Sequence, residues 1–115
     1  MINSECLFCR IFAKSIPAEI VRETAGLIAI KDIQPQAPTH LLIIPTEHVP
    51  GLAESTDAHA TLLGRAVRFA ARLAAQFRLT QGYRLVINSG PAAGQTVFHL
   101  HLHLLGGRTL GWPPG

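Results

Sequence analysis

The stretch VFHLHLHLLGG, residues 97–107, places a histidine at every second position, with leucines between the histidines and two glycines at the end. Successive side chains of an extended strand point to opposite faces, so the pattern predicts a strand in which His99, His101 and His103 share one face. The intervening leucines would then pack on a core while the histidines face a pocket, a metal ion or water. The alternation therefore predicts a half-buried strand that carries a functional site.

Length and composition limit the possible architectures. The chain has 115 residues, 48% of them hydrophobic, and a formal net charge of +3. We predict a single domain over residues 1–115 with a tail at 108–115, because this length is too short for two cores. No apolar run approaches the ~20 residues of a membrane span and no secretory signal pattern is present, which predicts a cytoplasmic protein without a membrane partner.

Arginines recur at helical spacing at Arg65, Arg68 and Arg72. No tyrosine or tryptophan interleaves with them, so we expect the solvated face of a helix and no nucleic-acid partner.

The remaining segments predict two helices and four more strands. CLFCRIFAKSI is expected to form a short helix that stops before Pro17, and EIVRET and LIAIKDI a hairpin around Gly26. PTHLLIIPTEHV and YRLVINSG are predicted strands, and residues 55–77 a long helix capped by Ser55 or Thr56. The buried stripe of that helix is predicted to comprise Leu62, Leu63, Ala66, Val67, Ala70, Leu73, Ala74 and Phe77. This order of elements, with mostly antiparallel links, predicts an α+β fold.

A glycine-rich loop, GPAAGQT at residues 90–96, precedes the histidine stretch. Its glycines permit close backbone approach, and Gln95, Thr96 and the amide groups could hold an anion, although such runs are also ordinary hairpin turns. A histidine beside an anion-binding loop suggests phosphoryl or nucleotidyl chemistry. Neutral imidazole is a competent nucleophile, and a second imidazole can serve as general acid.

The two cysteines form one Cys-x-x-Cys pair, Cys6 and Cys9. A zinc site, a redox pair and two buried free thiols are the open interpretations, and the βαβ context of the redox motif is missing. A helix start favours the thiolate form that zinc requires. Zinc would need two further ligands, for which His48 and His99 are best placed; the outer histidines of the triplet lie ~13 Å apart in a strand and cannot share one ion.

Polar residues at strand ends supply further candidates. Asp32 could accept hydrogen bonds from two ribose hydroxyls or be an acidic turn residue, and His40 stands at the start of the next strand. Asn88 ends a strand near the Gln95 loop and could equally form a turn.

The motif QTVFHLHLHLLGG resembles the His-x-His-x-His signature of the histidine triad (HIT) proteins. DIQPQAPTHLLIIPTEHV, GYRLVINSG and the terminal GWPPG resemble the Hint branch of that superfamily, the purine nucleoside phosphoramidases, over about residues 6–115. The resemblance implies a five-stranded antiparallel sheet with one long and one short helix, continued across a homodimer. It also implies hydrolysis of the P–N bond of adenosine or guanosine 5′-phosphoramidates through a covalent nucleotidyl-histidine.

The resemblance also assigns roles to residues. His101 would attack the α-phosphorus, His103 would bind or protonate around the phosphate, and His40 would relay a proton. Asp32 matches the acid that binds ribose. The other implied nucleotide contacts are Asn88, Gln95 and Thr96 at the phosphate or leaving group, and Phe8, Ile11 and Ile30 in the apolar base cleft. Many relatives carry serine where Thr96 stands.

The Cys-x-x-Cys pair is similar to that of many bacterial relatives, in which it binds structural zinc. The resemblance therefore implies one Zn²⁺ held by Cys6, Cys9, His48 and His99. His99 would then tie the histidine stretch to the N-terminal helix, which leaves His101 and the third histidine for the phosphate.

A homodimer is also expected from the residues themselves. The long helix carries more apolar residues than one side of a small sheet can cover, and the WPPG tail is not expected to pack on its own protomer. We therefore expect a two-fold dimer in which Trp112 approaches the partner's active site.

Two other functions stay open. The first is a dinucleoside polyphosphate hydrolase or nucleotidyltransferase of the same superfamily. The second is a non-enzymatic, zinc-stabilised nucleotide-binding or interaction protein.

Overall fold

A computed structural model describes residues 5–115, so the predicted domain start at residue 1 lies outside the described residues. The helices and strands are α1 (Leu7–Phe12), β1 (Ile20–Thr24), β2 (Leu27–Lys31), β3 (Thr39–Pro45), α2 (Ala60–Gln76), β4 (Tyr83–Val86) and β5 (Leu102–Gly106). The strands form one sheet in the order β1-β2-β3-β5-β4, and every neighbouring pair is antiparallel. This five-stranded antiparallel sheet with one long and one short helix confirms the predicted α+β fold.

The hairpin of β1 and β2 turns at Gly26, as the sequence predicts. Thr24 pairs with Leu27 across the turn, and Gly26 has a φ of +78°. A side chain at that backbone angle would be strained, which explains glycine at the turn.

One face of the sheet packs on α2 and forms the main core. The helix contributes Ala66, Phe69, Ala70, Leu73 and Ala74, and the strands contribute Leu27, Ala29, Leu41, Ile43, Leu102 and Leu104. The predicted stripe is wrong at Val67, which is 45% exposed, and it omitted Phe69, which is 2% exposed. Val67 lies about 100° around the helix from Ala66, on the side turned away from the sheet.

The long helix starts later than predicted. A 3₁₀ turn at Asp57–His59 follows Thr56, and the α-helix begins only at Ala60. Thr56 therefore precedes the 3₁₀ turn, where its backbone N–H donates to His59 Nδ1 at 2.9 Å.

The opposite face of the sheet is covered at one end by α1. Phe8, Cys9 and Ile11 pack there with residues of β2 and β3 in a second apolar cluster. The helix ends at Phe12, well before Pro17, so the predicted end is wrong. The cause is local: Lys14 adopts a φ of +62°, in the left-handed region, which ends helical hydrogen bonding.

The histidine stretch forms a shorter strand than predicted. Only Leu102–Gly106 is paired in the sheet, and the chain bends at residues 97–99. The Leu100 N–H donates to the Val49 carbonyl at 2.7 Å, so this part of the chain bonds to a loop outside the ladder. Leu100, Leu102 and Leu104 are nevertheless all buried, so the predicted leucine face is preserved.

No helix within residues 5–115 has the length and apolar character that crossing a membrane requires.

Candidate active site and metal centre

Three histidines meet on the face of the sheet that α2 does not cover. His40 lies on β3 and His103 on β5, in register positions that pair with Leu105 and Leu42, respectively. The His40 Nε2 and His103 Nδ1 atoms are 2.9 Å apart, and the rings of His101 and His103 have centroids 5.1 Å apart. The structure therefore brings together the three residues predicted to be catalytic.

The His101 ring is oriented by a backbone carbonyl. Its Nδ1 lies 2.7 Å from the His99 carbonyl oxygen, and a carbonyl can only accept, so Nδ1 carries the proton. The lone pair of the neutral ring is then on Nε2. Burial lowers the pKa of His101, against the opposing effects of the His99 hydrogen bond and the charge of Asp32. His101 is thus a neutral imidazole with one free nucleophilic nitrogen.

The His40 ring is oriented by a backbone amide. The Gln36 N–H donates to His40 Nδ1 at 3.0 Å, so the proton of the neutral ring is on Nε2 and points at His103 Nδ1. His103 accepts at Nδ1 and must carry its own proton on Nε2. Burial and the neighbouring His101 and His40 lower the pKa of His103 to about 4, and burial also lowers the pKa of His40. Both rings are therefore neutral at pH 7.

Asp32 follows β2 and lies beside these histidines. Its Oδ1 accepts the Gln34 N–H at 2.8 Å, and its Oδ2 is 3.4 Å from His40 Nε2. The hydrogen bond from Gln34 fixes the carboxylate in the loop and leaves Oδ2 directed at the site. Asp32 therefore lies where a ligand bound at the histidines could reach it.

The predicted anion loop is a 3₁₀ turn, Pro91–Ala93, between two glycines. Gly90 and Gly94 have φ angles of +94° and +98°, which only glycine adopts without strain. The side chain of Gln95 is buried and fully bonded: it accepts the Gly90 N–H at 2.8 Å and donates to the Pro50 and Val97 carbonyls. In this arrangement Gln95 shapes the loop and offers no free side-chain donor.

The other predicted phosphate contacts flank this loop. Asn88 is half-buried beyond the end of β4, with its Nδ2 atom close to Gly94. Thr96 is exposed and lines a surface groove together with Cys6 and His48.

The three apolar residues predicted for the base cleft are buried together between α1 and the sheet. Phe8, Ile11 and Ile30 belong to the same cluster, and the Phe8 ring meets the edge of the His101 ring at a centroid distance of 5.1 Å. Trp112, by contrast, is 84% exposed and lies in the tail, which Arg84 holds by donating to the Gly111 carbonyl.

The two cysteines and two further histidines converge in one cluster. The ligand atoms of Cys6, Cys9, His48 and His99 all lie within 4.8 Å of one another. The Cys6 and Cys9 Sγ atoms are 3.3 and 3.7 Å from His99 Nδ1, and the two histidine Nδ1 atoms are 3.0 Å apart. Tetrahedral zinc requires S–N separations of ~3.6 Å and N–N separations of ~3.3 Å, given its usual bond lengths. The donor set and its spacing therefore fit zinc.

A backbone hydrogen bond orients His99 as a metal ligand. Its Nε2 lies 2.7 Å from the Pro45 carbonyl oxygen and must donate, so the lone pair on Nδ1 faces the cysteines. Burial lowers the pKa of His99 to about 4, which keeps the ring neutral. The expectation that the helix start favours a thiolate is not met at Cys6, because burial raises the pKa of its thiol. A bound cation would supply the charge that offsets this burial.

The site combines groups that sequence reasoning found with groups it missed. The histidines, Asp32 and the cysteines were found from their spacing and residue type. The Gln36 amide and the carbonyls of Pro45 and His99 were missed, because backbone groups carry no residue-type signal. Only the position of Gln36 in a proline-rich loop four residues before His40 hinted at a fixed backbone there.

These features define a small α+β domain with a histidine site at the junction of its two central strands. A HIT domain model matches residues 13–110, which is most of the chain. A HIT family hydrolase of Legionella pneumophila has a similar structure, with a TM-score of 0.93 and 49% identity over 96% of this chain and 99% of that one. The chain therefore belongs to the HIT family.

Two curated relatives also span nearly the whole chain. A 14 kDa zinc-binding protein of Zea mays is 46% identical over 98% of this chain and 90% of its own length. Adenylylsulfatase HINT1 of Arabidopsis thaliana is 42% identical over 98% of this chain and 78% of its own length. The predicted resemblance to the Hint branch and to zinc-containing relatives is thus confirmed.

Proposed function

We propose that the chain is a hydrolase that cleaves the P–N bond of purine nucleoside 5′-phosphoramidates through a nucleotidyl-His101 intermediate. The observation that carries the proposal is the pair of opposite tautomers at the site. His101 has a free Nε2 lone pair, while His103 beside it carries a proton on Nε2. A nucleophile and a proton donor are therefore adjacent, both neutral, as cleavage of a bond to a poor leaving group requires.

The reaction would proceed in two steps. His101 Nε2 attacks the α-phosphorus, the P–N bond breaks, and His103 gives its Nε2 proton to the departing nitrogen. At the same time His103 Nδ1 takes the proton from His40 Nε2, and His40 stays without that proton until the second step. His103 Nε2 is then a free base that activates water, which cleaves the N–P bond at His101 and releases the nucleoside monophosphate. As His103 Nε2 takes a proton from that water, His103 Nδ1 returns its proton to His40 Nε2, which restores both starting tautomers.

The remaining residues would bind the nucleotide. Asp32, with one oxygen directed to the site, would accept hydrogen bonds from the ribose hydroxyls. Asn88 and Thr96 would contact the phosphate or leaving group, and Gln95 would act by holding the loop in shape. The base would lie at the edge of the apolar cluster that contains Phe8, Ile11 and Ile30, all of which are buried in this structure.

Zinc would act as a structural ion. Four protein ligands, Cys6, Cys9, His48 and His99, leave no position for water in a tetrahedral site. The ion would join α1, the segment after β3 and the segment before β5, and it would supply no chemistry to the reacting phosphate.

A second substrate class is adenylyl sulfate, because the Arabidopsis thaliana relative is named an adenylylsulfatase. Attack by the same nitrogen would expel sulfate, which is stable as an anion and needs no proton. His103 should therefore matter much less for this substrate than for a phosphoramidate.

A hydrolysis screen tests the proposal. We expect turnover of adenosine and guanosine 5′-phosphoramidates, measured as released monophosphate, with diadenosine polyphosphates and adenylyl sulfate assayed in parallel. A His103→Asn variant should lose ~10²–10⁴-fold of its phosphoramidate turnover, the usual range for a general acid. Turnover of diadenosine polyphosphates alone would instead identify a polyphosphate hydrolase, and binding of nucleotide without any turnover would identify a binding protein.

We infer that the protein forms a homodimer through β4 and α2. Strand β4 stands at the edge of the sheet, and Val67 on α2 and Tyr83 on β4 are both about half exposed. A second copy could pair with this edge and cover these side chains, which would continue the sheet and bring Trp112 to the partner's site.

Light scattering checks the assembly. The wild type should have the mass of a dimer at micromolar concentration, whereas Val67→Glu should shift it towards monomer because a charge would be buried at the interface. Leu52→Glu, at an exposed apolar position outside both elements, is the matched control and should remain dimeric. A monomeric wild type would contradict the proposed assembly.

A further inference from the structure

A second cluster of metal-binding side chains lies in the histidine site itself. The potential ligand atoms of Asp32, His40 and His103 fall within 4.8 Å of one another. His40 Nε2 is 2.9 Å from His103 Nδ1 and 3.4 Å from an Asp32 oxygen. Two imidazoles and a carboxylate hold transition-metal ions in many enzymes, so the donor set alone would suggest a metal site here.

The positions of the ring protons in this cluster argue against metal binding. An imidazole that binds a metal needs a bare nitrogen towards the ion, and its other nitrogen almost always donates to a carbonyl or carboxylate. His99 follows this rule, since it donates from Nε2 to the Pro45 carbonyl and directs bare Nδ1 at the cysteines. His40 has the reverse arrangement, because its outer nitrogen accepts the Gln36 N–H and its proton lies on the atom that faces the cluster.

We propose that the backbone amide of Gln36 is a positioning group that holds His40 in its Nε2–H tautomer, and thereby closes the Asp32, His40 and His103 cluster to divalent metal ions while directing a proton at His103. The exclusion of metals does not depend on the proposed function. The delivery of a proton rests on the proposed function.

The Gln36 amide is well placed to impose this choice. The Gln36 carbonyl accepts from Arg108 Nε at 2.9 Å, and its side-chain Nε2 donates to the Gln34 carbonyl at 3.1 Å. The peptide is therefore held on both sides. The His40 side chain is only 5% exposed, so water cannot readily replace the amide as its partner. In the Nδ1–H tautomer of His40, the ring N–H and the Gln36 N–H would face each other.

The tautomer can be measured directly in the wild type. Long-range ¹H–¹⁵N correlation spectra of the zinc-loaded protein should assign Nε2–H to His40 and Nδ1–H to His101, two opposite tautomers in one site. Nδ1–H at His40 would overturn the proposal, whatever the protein hydrolyses. This measurement needs no variant and no substrate.

A pair of variants tests the exclusion of metal. Gln36→Pro removes the N–H, whereas Gln36→Ala keeps it and is the matched control. In calorimetric titrations of protein already loaded with one zinc, Gln36→Pro should bind a second Zn²⁺ at least ~10-fold more tightly than the wild type, since outer-shell partners change metal affinity by 10- to 100-fold. Gln36→Ala should match the wild type, because it keeps both the N–H and the carbonyl that accepts from Arg108.

Equal second-site affinity in the wild type and a folded Gln36→Pro variant would overturn the proposal. If Gln36→Pro does not fold, the spectra of the wild type decide. Neither readout depends on turnover, so a failed hydrolysis screen would refute the proposed function without affecting this result.

Discussion

Replacing His101 with alanine should reduce phosphoramidate turnover by about a thousandfold or more, because the variant loses the nucleophile and not merely a proton carrier. The ring is held by a backbone carbonyl and packs edge-on against Phe8. No other histidine of the site can replace it as the nucleophile, because His103 accepts from His40 at Nδ1 and carries its proton on Nε2. Steady-state hydrolysis measures the loss.

Binding should survive this substitution. The affinity for AMP should change little, because Asp32 and the apolar cluster are unaltered, and calorimetry can measure it. His59→Ala is the matched control, since His59 pairs with Glu47 far along the chain from the histidine triplet and should retain normal turnover. In the wild type, a mass increase of one nucleotidyl group should map to His101. A His101→Ala variant with more than about a tenth of wild-type turnover would rule out covalent catalysis at this residue, because general acid–base effects alone reach ~10²-fold.

Replacing Cys6 and Cys9 together with alanine should remove the bound zinc and lower the melting temperature by at least about 10 °C. Structural zinc contributes folding free energy directly, and a few kcal/mol correspond to a shift of this size in a domain of this length. The four ligands come from three separate segments, so their release would free α1 from the segments after β3 and before β5. Elemental analysis should find about one zinc per chain in the wild type and almost none in the variant, and calorimetric melting should record the shift.

Two controls separate metal loss from helix damage. Leu7→Ala changes an exposed residue between the two cysteines and should keep both the zinc and most of the stability. Chelation of the wild type should lower its melting temperature as the double substitution does, while protein that stays folded keeps its activity. If the double variant were as stable as the wild type and its activity fell in proportion to zinc, the ion would be catalytic and the metal-free mechanism would be wrong.

The sequence by itself determined the plan of this protein. Alternation identified the histidine strand, short apolar runs bounded by turn residues identified the other strands, and the helical repeat of alanine and leucine identified α2. The spacing of the chemical residues also made the members of both clusters candidates, and the resemblance to the HIT proteins assigned their roles, since Cys-x-x-Cys and the histidine triplet are uncommon patterns. Boundaries were less certain: the predicted ends of α1 and of the histidine strand were wrong, since Lys14 and the bend at residues 97–99 depend on local backbone angles and loop contacts.

Only the tertiary structure decided what each histidine can do. His99, His101 and His103 look alike in sequence, yet the Pro45 carbonyl leaves Nδ1 of the first free for a metal, and the His99 carbonyl leaves Nε2 of the second free for attack. The Gln36 amide acts through His40 to put the proton of the third on Nε2. The tautomer of a buried imidazole depends on the donor or acceptor opposite each ring nitrogen, and here these are backbone groups that folding brings from distant segments.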